Sequence, residues 1–179
     1  MRLLRNILVG LVVVAAVLVA TGYMMPPHVI VERSISIDAT AEAVFPLVNS
    51  LRRGQEWSPW LARDPETVVE FSGPEEGVGA AMEWASENPQ VGSGAQEITA
   101  SIANERVETA LDFGAQGPAT AWFVLADGPG GGTELTWGLD ADMGNSPIGR
   151  WMGLMMDGWV GPDYEQGLIN IKSLVEAGS

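Results

Sequence analysis

The order of hydrophobic patterns after residue 64 constrains the fold more than any other feature of the sequence. Six short segments in this region carry strand-like patterns of apolar residues, and only short turns separate them. Such patterns and connections are typical of antiparallel strands with one buried face. The chain then ends in a segment whose apolar residues recur at helical spacing, namely Tyr164, Leu168, Ile171 and Val175. The sequence therefore predicts a meander of strands followed by a helix.

A further strand and two short helices are predicted ahead of this meander. The segment HVIVERSISIDA alternates, and Arg33 interrupts its apolar face. Thr40 can cap the first helix, and Pro46 should shorten or kink it. The second helix is a short one around the segment EWSPW. Near the C-terminus, residues 151–159 form one helical stretch, and Pro162 is well placed to begin a separate helix. One curved sheet around the terminal helix would bury all these apolar stripes, which predicts an α+β fold.

The N-terminal segment MRLLRNILVGLVVVAAVLVATGYMM predicts a membrane-spanning helix. It has no charged residue between Ile7 and Thr21, and an apolar run of ~20 residues spans a ~30 Å hydrocarbon core. Arg2 and Arg5 precede the run, so the positive-inside rule predicts a single-pass membrane protein with its C-terminal domain on the extracytoplasmic side. A signal peptide cleaved before Tyr23 is the competing interpretation. The predicted division is an anchor at 1–25, a linker at 26–28 and a folded domain at 29–179.

Charge and composition exclude several classes of function. The formal net charge is −14, with nine basic residues against 23 acidic ones, and this disfavours binding to nucleic acid or to anionic lipid headgroups. The chain has no cysteine, which excludes disulfides, thiol catalysis and cysteine-ligated metal. The absence of cysteine does not decide in which redox compartment the protein works, because a cysteine-free chain suits either side of a membrane.

Four motifs in the expected order resemble the START and birch-pollen-allergen-like superfamily, SRPBCC, and in particular its polyketide cyclase/dehydrase-like branch. They are WSPW after the first helix, VGSG before the central strands, GGTELTW in the last strand and MMDGWVGPDYEQGLINIKSLVE at the end. The resemblance covers about residues 29–176. It implies a helix-grip fold, in which a curved antiparallel sheet of about seven strands surrounds a long C-terminal helix and leaves a ligand cavity between them.

The resemblance implies a binding site built mainly from aromatic residues. In the family, the segment containing Trp57 and Trp60 lies at the mouth of the cavity, although either side chain could simply belong to the core. The partner expected is an apolar small molecule or a lipid, for which adaptable methionines are suited. The predicted ligand-binding residues are Trp57, Trp60, Trp84, Phe113, Phe123, Trp137, Met152, Met156 and Tyr164.

Candidates for catalysis are few. The single histidine, His28, lies in the predicted linker, and no carboxylates have the spacing of a metal site, so no catalytic residue, metal or cofactor is predicted. The remaining acid or base candidates are Glu83, Glu97, Asp112 and Tyr164. Two alternatives stay open. One is a cyclase or dehydratase acting on a polyketide-like or aromatic substrate, and the other is an interaction module whose interior is filled by its own side chains.

Overall fold

The structure is a computed structural model that describes residues 2–178. An N-terminal helix is followed by one strand, three short helices, six strands and a long helix. The helices are α1 (Arg2–Met24), α2 (Ala41–Val48), α3 (Gly54–Trp57), α4 (Pro59–Arg63) and α5 (Pro147–Ala177). The strands are β1 (His28–Ile37), β2 (Val68–Ser72), β3 (Ala81–Ala85), β4 (Ser93–Ile102), β5 (Arg106–Asp112), β6 (Pro118–Asp127) and β7 (Thr133–Asp142).

The strands form one antiparallel sheet in the order β1-β7-β6-β5-β4-β3-β2. From β2 to β7 each strand pairs with the next one in the chain, and β1 closes the series by pairing with β7. This confirms the predicted α+β fold with about seven strands. β1 begins at His28, one residue before the predicted domain start, because His28 already pairs with Asp142 of β7.

The alternation read from the sequence places side chains on the correct faces of the sheet. In β5, Val107 and Thr109 are buried beneath the helices, and in β7 Leu135, Trp137 and Leu139 are buried likewise. The apolar residues among them belong to one hydrophobic core with Leu168 and Ile171 of α5. The core therefore lies between the concave face of the sheet and the long helix.

The C-terminal region is one helix of 31 residues, and the two separate helices predicted there are wrong. Pro162 lies inside α5 and cannot donate the backbone hydrogen bond of a helix interior. The helix continues because it packs along β1 on both sides of the proline. Val29 lies against Gly153 before it, and Lys172 donates to the carbonyl of Ser36 after it, at 2.8 Å. Packing of this kind outweighs local propensity.

Arg33, which interrupts the apolar face of β1, attaches that strand to α5. Its guanidinium donates to Glu165 at 2.7 Å and to Asp157 at 2.9 and 3.1 Å. These two carboxylates raise the pKa of Arg33, and Arg33 in turn lowers the pKa of Asp157. The guanidinium lies directly against Gly161, where a side chain would collide with it. The guanidinium of Arg33 therefore occupies the space that a side chain at position 161 would fill.

We expect opposite effects from adding a methyl group at two glycines of α5. A Cβ at Gly167 would lie 2.7 Å from the ring of Trp137, so Gly167→Ala should cost about 1–3 kcal/mol of the free energy of unfolding through overpacking. Gly158 has no atom within 4 Å of such a Cβ, so Gly158→Ala should stabilise the helix by up to about 1 kcal/mol. Urea unfolding followed by circular dichroism measures both. Equal effects of the two changes would contradict the close packing at Gly167.

Candidate ligand-binding site

Five aromatic side chains from five elements meet between the sheet and α5. The ring of Trp137 on β7 stacks on Tyr164 of α5 at 3.8 Å between centroids and on Phe123 of β6 at 4.9 Å. Trp57 and Trp60 both meet Trp137 edge-on, at 5.3 and 5.8 Å. We call these five residues the aromatic cluster. Edge-on and offset stacked contacts are the arrangements that aromatic rings prefer.

The segment EWSPW supplies two members of the aromatic cluster because its chain turns at Ser58. Trp57 ends α3, Ser58 is extended, and Pro59 begins α4, so the two indoles leave the backbone in different directions. Trp57 is buried, and its indole donates to the carbonyl of Leu47 at 3.0 Å. Trp60 is half-buried and touches Tyr164 edge-on at 6.1 Å. Trp57 is therefore core material, whereas Trp60 stands at the edge of the interior.

Two adjoining cavities remain between the sheet, the short helices and α5. The inner cavity, of about 80 Å³, is lined by Val48, Trp57, Phe123 and Trp137 among others. The outer cavity, of about 160 Å³, is lined by residues that include Trp60, Trp84, Phe113 and Val160. Both cavities share one set of lining residues, which are Ser58, Leu61, Met82, Gln96, Leu111 and Tyr164. The interior is thus partly filled by its own aromatic side chains, and the space that remains is largely apolar.

Three polar side chains shared by the cavities are free to bind a ligand. Among residues 2–178, the hydroxyls of Ser58 and Tyr164 and the side-chain amide of Gln96 have no hydrogen-bond partner. Thr109 of the inner cavity differs, because its hydroxyl donates to the carbonyl of Ala121 at 3.5 Å. Ligand sites typically combine apolar walls with a few polar groups, so accessible unpaired groups beside a cavity favour a ligand with a polar atom of its own.

Burial raises the pKa of the Tyr164 phenol, whose residue is only 3% exposed. The group therefore stays protonated at physiological pH and acts as a hydrogen-bond donor. A raised folded-state pKa gives stability that is complete below the unfolded-state pKa of about 10 and is lost as the pH rises above it. We expect the free energy of unfolding to fall by about 1.4 kcal/mol per pH unit above that point from this residue alone.

The matched control for this pH dependence is Tyr164→Phe, which keeps the ring but has no phenol to titrate. Urea unfolding at several pH values between 8 and about 11 measures the slope for both proteins. The wild type should lose stability more steeply than Tyr164→Phe. Parallel slopes would show that Tyr164 is accessible to water in the folded protein, in disagreement with its burial.

The carboxylate candidates lie away from both cavities. Glu83, Glu97 and Asp112 are exposed on the sheet. His28 pairs with Asp140 across the end of β1 and β7, with 3.0 Å between Nδ1 and the carboxylate. No group of three or more potential metal ligands occurs among the residues that the structure describes. Tyr164 is therefore the one acid or base candidate from the sequence that reaches the interior.

Seven of the nine predicted ligand-binding residues line the cavities, and two do not. Met152 is exposed on α5, and Met156 packs against the core but contacts neither cavity. Both belong to the first half of α5, which packs along the edge strand β1, away from the cavities. The prediction missed Ser58, Leu61, Met82, Gln96 and Leu111. Strand alternation could have found Met82 and Leu111, because they lie two residues from Trp84 and Phe113.

The model of the family described as polyketide cyclase / dehydrase and lipid transport matches residues 28–176. The chain belongs to this family. The match spans the whole sheet and nearly all of α5, which are the elements that form the cavities. No curated protein matches the sequence.

Solved structures show the same helix-grip fold at low sequence identity. The Zhui aromatase/cyclase from Streptomyces sp. R1128 is 13% identical with a TM-score of 0.62, over 83% of this chain and 94% of its own. Ara h 8.0201 is 12% identical with a TM-score of 0.55, over 84% of this chain and 99% of its own. A protein of Chromobacterium violaceum is 18% identical with a TM-score of 0.53, over 85% and 99%. These matches place the fold in the SRPBCC superfamily.

Proposed function

We propose that the protein is a membrane-tethered domain that binds a small hydrophobic molecule between its sheet and α5. The observation that carries the proposal is the pair of adjoining apolar cavities with the unpaired groups of Ser58, Gln96 and Tyr164 in their shared wall. Ligand sites are typically apolar spaces with a few polar groups that set the orientation of the ligand. The family, whose description includes lipid transport, is consistent with this function.

The size of the cavities limits the ligand that fits without rearrangement. The outer cavity of about 160 Å³ is close to the engineered cavities of about 150 Å³ that bind benzene in another protein. A molecule of one or two fused rings, or a short acyl chain, suits this space and the smaller cavity beside it. A longer lipid chain requires Leu61 and Met82 to move, and methionine is well suited to such adjustment.

The polar wall of the cavities indicates that the ligand carries a hydrogen-bond acceptor. The protonated Tyr164 can donate to a carbonyl or hydroxyl oxygen, and the Gln96 amide can donate or accept. A cyclase or dehydratase acting on a polyketide-like substrate is the second candidate, and Tyr164 would be its proton donor. The raised pKa of Tyr164 makes its phenol a weaker acid and leaves almost no phenolate to act as a base at neutral pH, and the exposed carboxylates do not reach the cavities. Binding is therefore the better-supported function.

We propose further that α1 anchors the domain in a membrane as a single span. The helix is 23 residues long and its apolar side chains are exposed, so by length and composition it can cross a bilayer, as some signal sequences also can. Arg2 and Arg5 at its start favour a cytoplasmic N-terminus and an extracytoplasmic domain. The mass of the mature protein tests the anchor, since a chain that begins at Tyr23 or later has lost it.

Titration calorimetry with two naphthalenes of the same size tests the binding function. The full chain in lipid nanodiscs is titrated with 2-acetylnaphthalene, which has a carbonyl acceptor, and with 2-ethylnaphthalene, which has none. Heats from empty nanodiscs are subtracted. We expect both to bind, and we expect Tyr164→Phe to weaken only the acetyl compound, by about 2- to 10-fold for one hydrogen bond. If neither compound binds, the ligand cavity is refuted and an interaction module is favoured.

A further inference from the structure

The first half of α5 carries a stripe of apolar side chains on the face that points away from the core. We define this membrane-facing stripe as Ile148, Met152, Met155 and Trp159, which follow one another at intervals of four, three and four residues. That spacing places them on one side of a helix. The four residues are exposed by 71, 47, 48 and 52%.

The same face of the helix changes character in its second half. Continuing the alternating intervals of three and four residues beyond Trp159 leads to Pro162, Gln166, Ile169 and Ser173, so that the polar Gln166 and Ser173 interrupt the apolar residues. A helix that packs on a core from one side needs polar residues on the other, and the second half of α5 follows this pattern. Contiguous exposed apolar side chains in the first half need a covering partner.

The last two turns of α1 lie beside this part of α5. Gly22 packs against Pro147, and a Cβ at Gly22 would meet the Pro147 ring at 2.7 Å. The guanidinium of Arg150 donates to the carbonyls of Tyr23 at 2.9 Å and Met25 at 3.0 Å. The indole of Trp151 donates to the carbonyl of Leu18 at 2.9 Å. Leu18 precedes the end of α1 by six residues, which corresponds to about 9 Å along the helix axis.

We propose that the membrane-facing stripe lies in the interfacial layer of the bilayer that α1 spans, so that α5 is a second, peripheral membrane contact. This inference rests on the proposed anchoring by α1. A helix of 23 residues is about 34 Å long, and the hydrocarbon core is about 30 Å thick. When the helix is centred in the core, Leu18, and with it Trp151, lies below the surface of the core. Interfacial helices bury their apolar face about 5–10 Å into the boundary between headgroups and acyl chains, which is compatible with this depth.

The charges of this segment favour lipid contact through apolar insertion. The charged residues between Pro147 and Trp159 are Arg150, whose guanidinium donates to backbone carbonyls at the end of α1, and Asp157, which pairs with Arg33. The chain as a whole carries a net charge of −14, so attraction to anionic headgroups does not contribute. The lipid that fits this surface is a zwitterionic one, contacted through its acyl chains and glycerol region.

The absence of cysteine from the sequence allows a direct test with single labels. Met155→Cys and Met152→Cys place an environment-sensitive fluorophore in the membrane-facing stripe. Ser173→Cys is the matched control, because Ser173 is exposed on the same face in the polar half of α5. The full chain is reconstituted in phosphatidylcholine nanodiscs with or without lipids carrying a nitroxide on the acyl chain. We expect several-fold stronger quenching of the labels at 152 and 155 than of the label at 173.

Each outcome bears on a different part of the proposal. Labels at 152 and 155 that emit as in water, on a chain whose mass still includes α1, overturn the membrane contact and leave the anchor standing. Labels that emit as in an apolar environment but escape quenching by the lipids indicate contact with a second copy of the chain, which also overturns it. A mature chain that begins at Tyr23 or later removes the anchor and this contact together, while the ligand-binding function is measured independently by calorimetry.

Discussion

Trp137→Ala should destabilise the domain by about 3–5 kcal/mol, the usual range for removing a buried tryptophan. Trp137 is buried, stacks on Phe123 and Tyr164 and meets two further rings of the aromatic cluster edge-on. The ring lines the inner cavity and also lies against the backbone of Gly167. Its removal therefore leaves a void that joins this cavity. Chemical unfolding of the full chain in detergent, followed by circular dichroism, measures the loss.

Trp137→Phe is the control for this prediction, since a smaller ring keeps part of the stacking and should restore part of the stability. A loss below about 1 kcal/mol for Trp137→Ala would place the residue outside the cooperative core, because surface substitutions typically have effects that small. That result would contradict a domain assembled around the aromatic cluster.

Trp60→Ala should act mainly on ligand binding. Trp60 is half-buried at the outer cavity, so its truncation should cost only about 1–2 kcal/mol of stability. As an aromatic wall of the binding space it should carry a large share of the contact energy, and its loss should weaken 2-acetylnaphthalene binding by about 10- to 100-fold. Calorimetry in nanodiscs and urea unfolding, carried out on the same preparation, separate the two effects.

Trp122→Ala is the matched control on the other face of the sheet. Trp122 is half-buried on β6, covers Gly138 and lines neither cavity. Its removal should change stability by a similar amount and leave the affinity unchanged. If Trp60→Ala and Trp122→Ala affected affinity equally, Trp60 would act through stability and not through contact with the ligand.

The sheet could be predicted from sequence because its information is local. Alternation assigns a face to each residue, and short turns such as GPGGG fix which strands are neighbours. The continuity of α5 could not be predicted in the same way. By local rules a helix ends at Pro162. The helix continues because both of its halves pack along β1, whose residues lie more than a hundred positions away in the sequence.

The candidate site, too, could be predicted only in part from the sequence. The motif residues Trp57, Trp60, Trp137 and Tyr164 were assigned correctly to the helix–sheet interior. Met152 and Met156 line neither cavity, and the sequence could not show this, because periodicity shows that a helix has an apolar face but not what that face meets. The free volume left by the aromatic cluster depends on how rings from five elements stack, and no pattern along the chain records this.

Photolabelling tests the central claim, that a small hydrophobic molecule binds between the sheet and α5, most directly. A naphthalene carrying a diazirine is crosslinked to the full chain in nanodiscs, and the modified peptides are identified by mass spectrometry with and without excess 2-acetylnaphthalene. We predict labels that the competitor removes in three regions that line both cavities, namely residues 58–61, 82–84 and 160–164. Labels confined to α1 and the membrane-facing stripe, or labels that the competitor does not reduce, would contradict a binding site in the interior.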